Sequence, residues 1–187
     1  FAPSGYINAP NPLLELEYHD RFIKYNTLNS KIYATLSLPF GFSFTSEFIP
    51  RFNWNRNYQS YSSKHALWAP QGGRASRQNT TIFEWQVNNM LKWNKTFDIH
   101  AFDVTLVQTA EKYQYWRDYI YRQRFLPSDV LGYHRMQAAS EDLEISSDDQ
   151  VSTGDALLAR VNYTLAEKYN VTASFRRDGY SAFGQSN

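Results

Sequence analysis

Polar and apolar residues alternate along three segments of the chain, which is the period of a β-strand with two different faces. In residues 42–58, most even positions are apolar or aromatic, and most odd positions are polar or charged. Residues 83–94 and 157–165 show the same alternation. Weaker versions occur in three further segments, residues 30–38, 101–109 and 170–184. The pattern therefore predicts six strands, each with one apolar and one polar face.

The links between these predicted strands alternate between short and long. Residues 39–41, 95–100 and 166–169 form short links, whereas residues 62–80 and 124–154 form long ones. Compact soluble domains rarely use loops beyond about 12–15 residues, but outer-membrane barrels combine short periplasmic turns with long extracellular loops. Residues 1–20 would then be the end of another long loop. The segment 42–58 also exceeds the about 5–6 residues of a typical soluble strand and could cross a bilayer and project above it.

Composition supports β structure, because aromatic residues make up 17% of the chain although the mean hydropathy is only -0.59. Several aromatics lie towards predicted strand ends, where a membrane-interface girdle would lie, and the general preference of strands for aromatics is the alternative. The net charge of +1 gives no indication of a nucleic-acid partner, and the absence of cysteine excludes disulfides and thiolate chemistry. No signal peptide or apolar helix of about 18 residues is present, and the abrupt ends suggest an internal fragment.

Residue types that carry chemistry elsewhere do not form a recognisable enzyme or metal site. The four histidines lack HxH and HExxH spacing, and no pair of carboxylates stands out as in a glycosidase. The acidic residues 141–149 could offer oxygen ligands to calcium, but they lack the spacing and glycine of an EF-hand, which favours a solvated extracellular loop. Residues 70–74 (PQGGR) are typical of a loop turn, and four N-x-S/T sequons are attributed to chance. We expect no catalytic residue, no metal and no cofactor.

Several motifs together resemble the SusC/RagA family of TonB-dependent outer-membrane transporters. The most specific motif is RRDGYSAFG at residues 176–184, and the preceding Arg-x-Asn-Tyr and EKY turn also match. Upstream, NPLLEL, TFDIHAFDVTLVQTAEKY and LPSDVLGYH are similar to the same family. The resemblance implies an all-β, antiparallel transmembrane barrel of 22 strands around a plug, with about six strands in residues 1–187. It also implies import of oligomeric nutrients, mostly glycans and in some members peptides, at the outer membrane of a Gram-negative bacterium of the Bacteroidota type.

In this interpretation, the polar strand faces line the barrel lumen and would contact the plug or the solute. The candidates are Glu47, Arg51, Asn53, Arg160, Asn162, Arg176 and Asp178. The alternative is that these side chains only solvate the wall and bond to one another. The loop aromatics Trp68 and Tyr133 could stack on sugar rings, with loop packing as the alternative. In the last strand, Phe175 would face lipid, Arg177 would lie near the outer interface, and Gly179 would mark a bulge.

The whole chain is expected to be one piece of a barrel domain, because six strands leave two edges unsatisfied in lipid. The plug, a TonB box and the remaining strands would then belong to a longer polypeptide. Its expected partners are the rest of the barrel, outer-membrane lipid, a SusD-like surface lipoprotein, TonB through the N-terminal region, and an oligosaccharide or peptide substrate. The competing interpretation is a secreted carbohydrate-binding β-sandwich, which would have shorter strands and mostly short loops.

Overall fold

A computed structural model describes residues 12–65, 67–125 and 127–181, which form one sheet preceded by a short helix. The helix α1 (Pro12–Tyr18) leads into seven strands: β1 (His19–Asn29), β2 (Ile32–Ser37), β3 (Phe42–Tyr61), β4 (Arg74–Phe97), β5 (His100–Phe125), β6 (Ala139–Leu165) and β7 (Tyr169–Tyr180). The strand order is β1-β3-β4-β5-β6-β7, with β2 also paired to β3. All described strands lie in this one sheet, so the sandwich alternative, which needs two packed sheets, does not fit. None of the described helices has the length and apolar character needed to cross a bilayer.

The strands β1 and β2 both lie along β3, so the sheet has six strand positions as predicted. Ile32 of β2 is paired with Phe48, and the Ser30 amide between the two strands donates to the Pro50 carbonyl oxygen at 3.1 Å. The first strand was nevertheless predicted to begin too late, at Ser30 rather than at His19. Charged residues break the alternation in β1, which hides its strand period. Of the predicted first loop, residues 12–18 form α1 and residues 1–11 lie outside the described chain.

The central strands are longer than expected and the long links are correspondingly shorter. β3, β4, β5 and β6 contain 20, 24, 26 and 27 residues. Because β4 begins at Arg74 and β6 at Ala139, the links are confined to residues 62–73 and 126–138. The acidic residues 141–149 belong to β6, so their interpretation as an irregular loop is wrong. Residues 74–81 at the start of β4 are almost entirely polar, and in residues 141–149 of β6 only Leu143 and Ile145 are apolar, so the hydrophobic period that reveals a strand is weak there.

Tight turns join β2 to β3, β4 to β5 and β6 to β7. In the last of these, Ala166 and Glu167 have φ angles of 53° and 57°, and the Lys168 amide donates to the Leu165 carbonyl oxygen at 3.0 Å. Two successive positive φ angles are the signature of a type I′ turn, and the pairing of Leu165 with Tyr169 leaves three residues in this link. In the first turn, a Cβ at Gly41 would lie 2.1 Å from the Asn94 carbonyl oxygen, so only glycine fits.

The pairing of β6 with β7 is regular along the whole length of β7. Gly179 lies directly opposite Asp155 in this ladder, and the predicted bulge at Gly179 is therefore wrong. A Cβ at Gly179 would lie 2.5 Å from a carboxylate oxygen of Asp155. The glycine thus makes room for a cross-strand side chain rather than for an extra residue.

The chain divides into two compact units, and β3, β4, β5 and β6 contribute to both. The described residues of unit 1 lie within the ranges 12–26, 53–81 and 115–149, which include both long links. It holds a small core in which the link 126–138 packs against the strands. The buried hydrophobic members are Tyr58, Ala75, Phe125, Tyr133, Met136 and Ala139.

The described residues of unit 2 are 27–52, 82–114 and 150–181, and none of them is buried. Most of its apolar side chains lie on one open face of the sheet. Leu157, Val171 and Phe175 are 50%, 62% and 67% exposed. A sheet that leaves such a face uncovered in water forfeits the main driving force of folding. Unit 2 therefore requires a nonaqueous surrounding or a covering partner for this face.

Candidate functional site

A hydrogen-bonded ladder of side chains crosses the polar face of unit 2. The Glu47 carboxylate lies 2.7 Å from Lys31 Nζ and accepts a hydrogen bond from Asn88 Nδ2 at 3.4 Å. Asn88 Oδ1 accepts from Thr109 Oγ1 at 3.0 Å and from Gln86 Nε2 at 2.8 Å. Strand alternation places these residues on one face of neighbouring strands. The structure therefore joins the predicted residue Glu47 to partners on two further strands.

Arg51 forms a second set of polar contacts on this face. Its guanidinium donates to Asn29 Oδ1 at 3.1 Å and to Glu84 Oε2 at 3.1 Å. Asn53 shares the odd parity of Arg51 on β3 and lies in unit 1.

Arg51 also lines a recess of about 560 Å³ within unit 2. A Cβ at Gly154 would lie 2.7 Å from a carboxylate oxygen of Glu111, so the glycine lets that side chain lie close against β6. Carboxylates, a guanidinium, amides and phenols thus face one space, which suits a polar ligand or a polar protein surface. The recess is lined by Ile49, Arg51, Glu84, Trp85, Gln86, Glu111, Lys112, Tyr113, Gln150, Val151, Ser152, Gly154 and Tyr180.

The remaining predicted polar residues lie on β6 and β7. Asn162 donates to Asp103 Oδ1 at 3.4 Å and accepts from Thr172 Oγ1 at 2.9 Å. Arg176 and Asp178 form an ion pair along β7, with Arg176 Nη2 at 2.8 Å from Asp178 Oδ1. Arg160 lies opposite Ser174 in the β6–β7 ladder. All of these positions have the even parity of the polar face, and their contact with a plug or solute stays a prediction.

The two aromatic residues predicted to stack on sugars lie in or beside the links of unit 1. Tyr133 is only 6% exposed, and its ring centroid lies 5.6 Å from that of Tyr58. Burial raises the pKa of the Tyr133 phenol, and a hydrogen bond with Asp20 adds to the rise. Trp68 is half-buried, and the Arg74 guanidinium lies 4.1 Å from its ring centroid. Both rings therefore take part in packing within unit 1, and their contact with sugar stays a prediction.

Asp129 forms hydrogen bonds between the two long links of unit 1. Its Oδ2 accepts hydrogen bonds from the Ser62 hydroxyl at 3.0 Å and from the Ser63 amide. Burial raises the pKa of the Asp129 carboxyl, but the hydrogen bonds from Ser63 and Ser62 outweigh it and hold the pKa below its ordinary value. Nearby, Gly132 has a φ of 42°, and a Cβ there would lie 2.2 Å from the Ser60 hydroxyl oxygen.

Two aromatic bands border the apolar face of unit 2. The first band consists of Phe42, Trp93, Phe97, Phe102 and Tyr163, whose neighbouring ring centroids lie 5.0–6.4 Å apart. The second band contains Phe52 and Phe83, stacked at 4.4 Å. At about 3.3 Å per residue, β3 rises about 33 Å from Phe42 to Phe52, which is about 25 Å along the normal of a bilayer at a tilt of about 40°. This spacing equals the height of the apolar band on outer-membrane barrels.

The surface between the aromatic bands is mostly apolar. A shallow groove there is lined largely by aliphatic and aromatic side chains, including Phe44, Leu91, Leu106, Leu157 and Phe175. One polar row interrupts it: Ser46 Oγ donates to Asn89 Oδ1 at 2.8 Å, and Asn89 Nδ2 donates to Gln108 Oε1 at 2.8 Å. These mutual hydrogen bonds satisfy polar groups that stand among apolar side chains.

Sequence reasoning missed several residues of the polar face, notably Glu84, Asn88 and Glu111. Glu84 and Asn88 are at even positions of β4, whereas its aromatic residues are at odd positions. Strand alternation in the sequence therefore already assigned these two residues to the polar face. The register between strands was not visible, and the register decides which polar side chains meet. Among the described residues, no group of three or more His, Asp or Glu side chains could hold a metal ion.

Comparisons with known proteins agree with the barrel interpretation. No protein-family model matches the sequence. The chain is similar to the TonB-dependent receptor P39 of Formosa agariphila, with 25% identity over 184 residues that cover 95% of this chain and 17% of that protein. Its fold is similar to a chain in the structure of the RagAB peptide transporter, with a TM-score of 0.82 at 12% identity over 92% of this chain and 19% of the other.

The RagAB peptide importer in its open-open state is also similar, with a TM-score of 0.73 at 14% identity over 94% of this chain and 19% of the other. The chain thus spans less than a fifth of the length of these relatives. The resemblance to the SusC/RagA family and the prediction of an antiparallel barrel segment are confirmed. The relatives named here are a receptor and a transporter.

Proposed function

We propose that this chain is part of the barrel wall of an outer-membrane transporter that imports oligomeric nutrients with energy delivered by TonB. The observation that carries the proposal is unit 2 itself. None of its described residues is buried, one face is polar, and the other is an apolar band between two aromatic borders about 25 Å apart. Lipid would cover the apolar face and leave the polar face towards the lumen.

Within the full-length transporter, the polar face would contact the plug or the passing solute. The ladder around Glu47 and the recess beside Arg51 offer donors, acceptors and charges of both signs. Such a mixed surface favours a polar partner, because its donors and acceptors can replace hydrogen bonds among themselves with hydrogen bonds to that partner. We assign no chemical step to this chain: transport in this proposal rests on conformational change.

The proposed cargo is an oligomeric glycan, delivered with the help of a SusD-like surface lipoprotein. The glycan is supported by the family resemblance of the sequence motifs. A peptide cargo is the second candidate, because the structures with similar folds are those of a peptide transporter. The proposed host is a Gram-negative bacterium of the Bacteroidota type.

The test uses the full-length gene in its native host or a close relative. We expect the product in the outer-membrane fraction, resistant to extraction by salt or carbonate, and we expect gene deletion to abolish growth on one class of oligomer as sole nutrient. Growth on glycan and on peptide oligomers separates the two cargoes. A full-length product found in the soluble fraction would rule out the membrane proposal, and unchanged growth on every oligomer tested would rule out nutrient import.

A further inference from the structure

Three cationic side chains come from neighbouring strands of unit 1: Lys24 of β1, Arg56 of β3 and Arg77 of β4. The Ser62 amide donates to the Tyr18 carbonyl oxygen at 2.9 Å, and this register of β1 against β3 places Lys24 directly opposite Arg56. Both side chains are exposed. The Cβ atoms of directly opposite residues lie about 4.5–5.5 Å apart, and like charges in such a pair destabilise a sheet. The two cations therefore repel each other unless an anion lies between them.

Arg77 adds a third positive charge next to this pair. Its guanidinium carbon lies 4.5 Å from the Tyr58 ring centroid, a cation–π contact that orients the group. The stacking of Phe52 on Phe83, six residues away on each strand, has the same offset between β3 and β4. In this register Arg77 is diagonal to Arg56, with Cβ atoms about 7–8 Å apart. An anion beside Arg56 is therefore within reach of all three cations.

The described part of the chain supplies no anion to these cations. None of the three forms an ion pair there, and neither arginine donates a side-chain hydrogen bond there. The acidic residues of the same strand parity on β1 and β5 are Asp20 and Asp118. Asp20 forms a hydrogen bond with the Tyr133 phenol, and Asp118 alone leaves the cluster with an excess of positive charge. An external anion would balance this charge and accept hydrogen bonds from the guanidinium groups.

The position of the cluster on the sheet narrows the class of anion. Arg56 has the even parity of Phe44 on β3, so strand alternation assigns it to the face that the proposed function places against lipid. Trp54, two residues nearer the apolar segment of β3, is 42% exposed, and tryptophan is enriched at the headgroup level of membrane proteins. Beyond Arg56, β3 ends at Tyr61, next to the link 62–73, and long links are extracellular in outer-membrane barrels. The anion is therefore expected among the headgroups of the outer leaflet.

We propose that Lys24, Arg56 and Arg77 form a binding site for the phosphate groups of an anionic outer-leaflet lipid. The inference rests on the proposed function, which supplies the membrane. The planar fork of a guanidinium matches the geometry of phosphate and binds it through paired hydrogen bonds, and the lysine adds a point charge. Such a site would hold a phosphorylated glycolipid against the outside of the barrel wall, on the face opposite to the path of the solute.

The experiment measures binding of diphosphoryl lipid A to the purified, delipidated full-length transporter in detergent by native mass spectrometry. We expect Arg56→Gln to weaken binding by about fivefold, because one cation near an anionic lipid surface contributes about that factor. Combining Lys24→Gln with Arg56→Gln should weaken binding by about 30-fold. Lipid A from which both phosphates have been removed should bind wild type no more tightly than diphosphoryl lipid A binds the double variant.

The matched control is Arg21→Gln, which removes an exposed arginine of the opposite strand parity on β1 and should leave lipid binding unchanged. Heat-modifiable electrophoretic mobility reports whether each variant folds. Equal binding by wild type and the double variant, or equal weakening by Arg21→Gln and Arg56→Gln, would overturn the site. Displacement of the lipid by millimolar inorganic phosphate would overturn the assignment to a lipid in favour of a free anion. Failure of the transporter proposal would instead appear as a full-length product outside the outer membrane.

Discussion

A substitution at Leu106 tests whether the apolar face of β5 lies against lipid or against water. Leu106 lies four residues from Phe102 of the first aromatic band, about 13 Å along the strand at about 3.3 Å per residue and about 10 Å along the bilayer normal at a tilt of about 40°. In an apolar band about 25 Å tall, Leu106 is therefore close to the midplane, where arginine costs about 2–4 kcal/mol. We expect Leu106→Arg to reduce the folding equilibrium constant by about 30- to 1,000-fold.

The measurement is urea unfolding of the full-length protein in phosphatidylcholine vesicles, followed by tryptophan fluorescence. Thr105→Arg is the control, because the neighbouring residue lies on the polar face by strand alternation and its side chain should keep its water. A cost below about 1 kcal/mol for Leu106→Arg would refute the assignment of this face to lipid, since that is the cost of arginine near the membrane interface. Equal costs at both positions would refute the assignment of the two faces.

Three further predictions concern the links and turns. Asp129→Asn should lower the free energy of opening of the two long links by about 1–2 kcal/mol, because bonds to an ionised acceptor are stronger than those to a neutral one; hydrogen exchange of the Ser63 amide measures this. Since the folded pKa of Asp129 lies below its unfolded value of about 3.9, its stabilisation is complete above that pH and is lost as the pH falls through the folded pKa, whereas exchange in the Asn variant should show no such step. Replacing Ala166→Asn together with Glu167→Gly should raise the unfolding free energy in vesicles by about 1 kcal/mol, because these residues suit positive φ; a loss of stability would contradict the type I′ turn. Gly132→Ala should destabilise unit 1 by at least about 1 kcal/mol, as its Cβ would overlap a strand side chain, and unchanged protease resistance of the links would contradict the packing.

The sequence predicted the strands best where one face is apolar and the other polar. The segment around Phe44 and Phe52 shows the period clearly, because one face of the sheet is apolar there and the other is polar. At the start of β4 this contrast is missing, and in residues 141–149 of β6 it is confined to Leu143 and Ile145, so that segment resembled a loop although it pairs as a strand. The predicted turn at residues 166–169 was found at residues 166–168, and its residues Ala166 and Glu167 are not the glycine or asparagine that usually reveal such a turn.

The polar residues of the candidate site could be assigned to a face but not to partners. Parity was sufficient for Arg51 and Asn162, because a strand has only two faces. The pairing of Arg51 with Glu84 depends on the register of β3 against β4, which arises from turn geometry and packing along the whole strand. The burial of Tyr133 depends on the link 126–138 folding back on the sheet, and no periodic pattern in the sequence indicates that contact.

The strand order has a consequence for how this polypeptide acquires its structure. Each described strand pairs with a neighbour in sequence, apart from the short step by which β1 reaches β3 past β2. Assembly therefore requires the closure only of links no longer than the segments 62–73 and 126–138, and the entropic cost of closing a loop falls as the loop becomes shorter. Structure with mostly local pairing can grow one hairpin at a time, and it forms faster than structure whose pairs are distant in sequence. The segment is thus suited to assembly one strand at a time, in which each newly paired strand leaves an edge to which the next strand can bind.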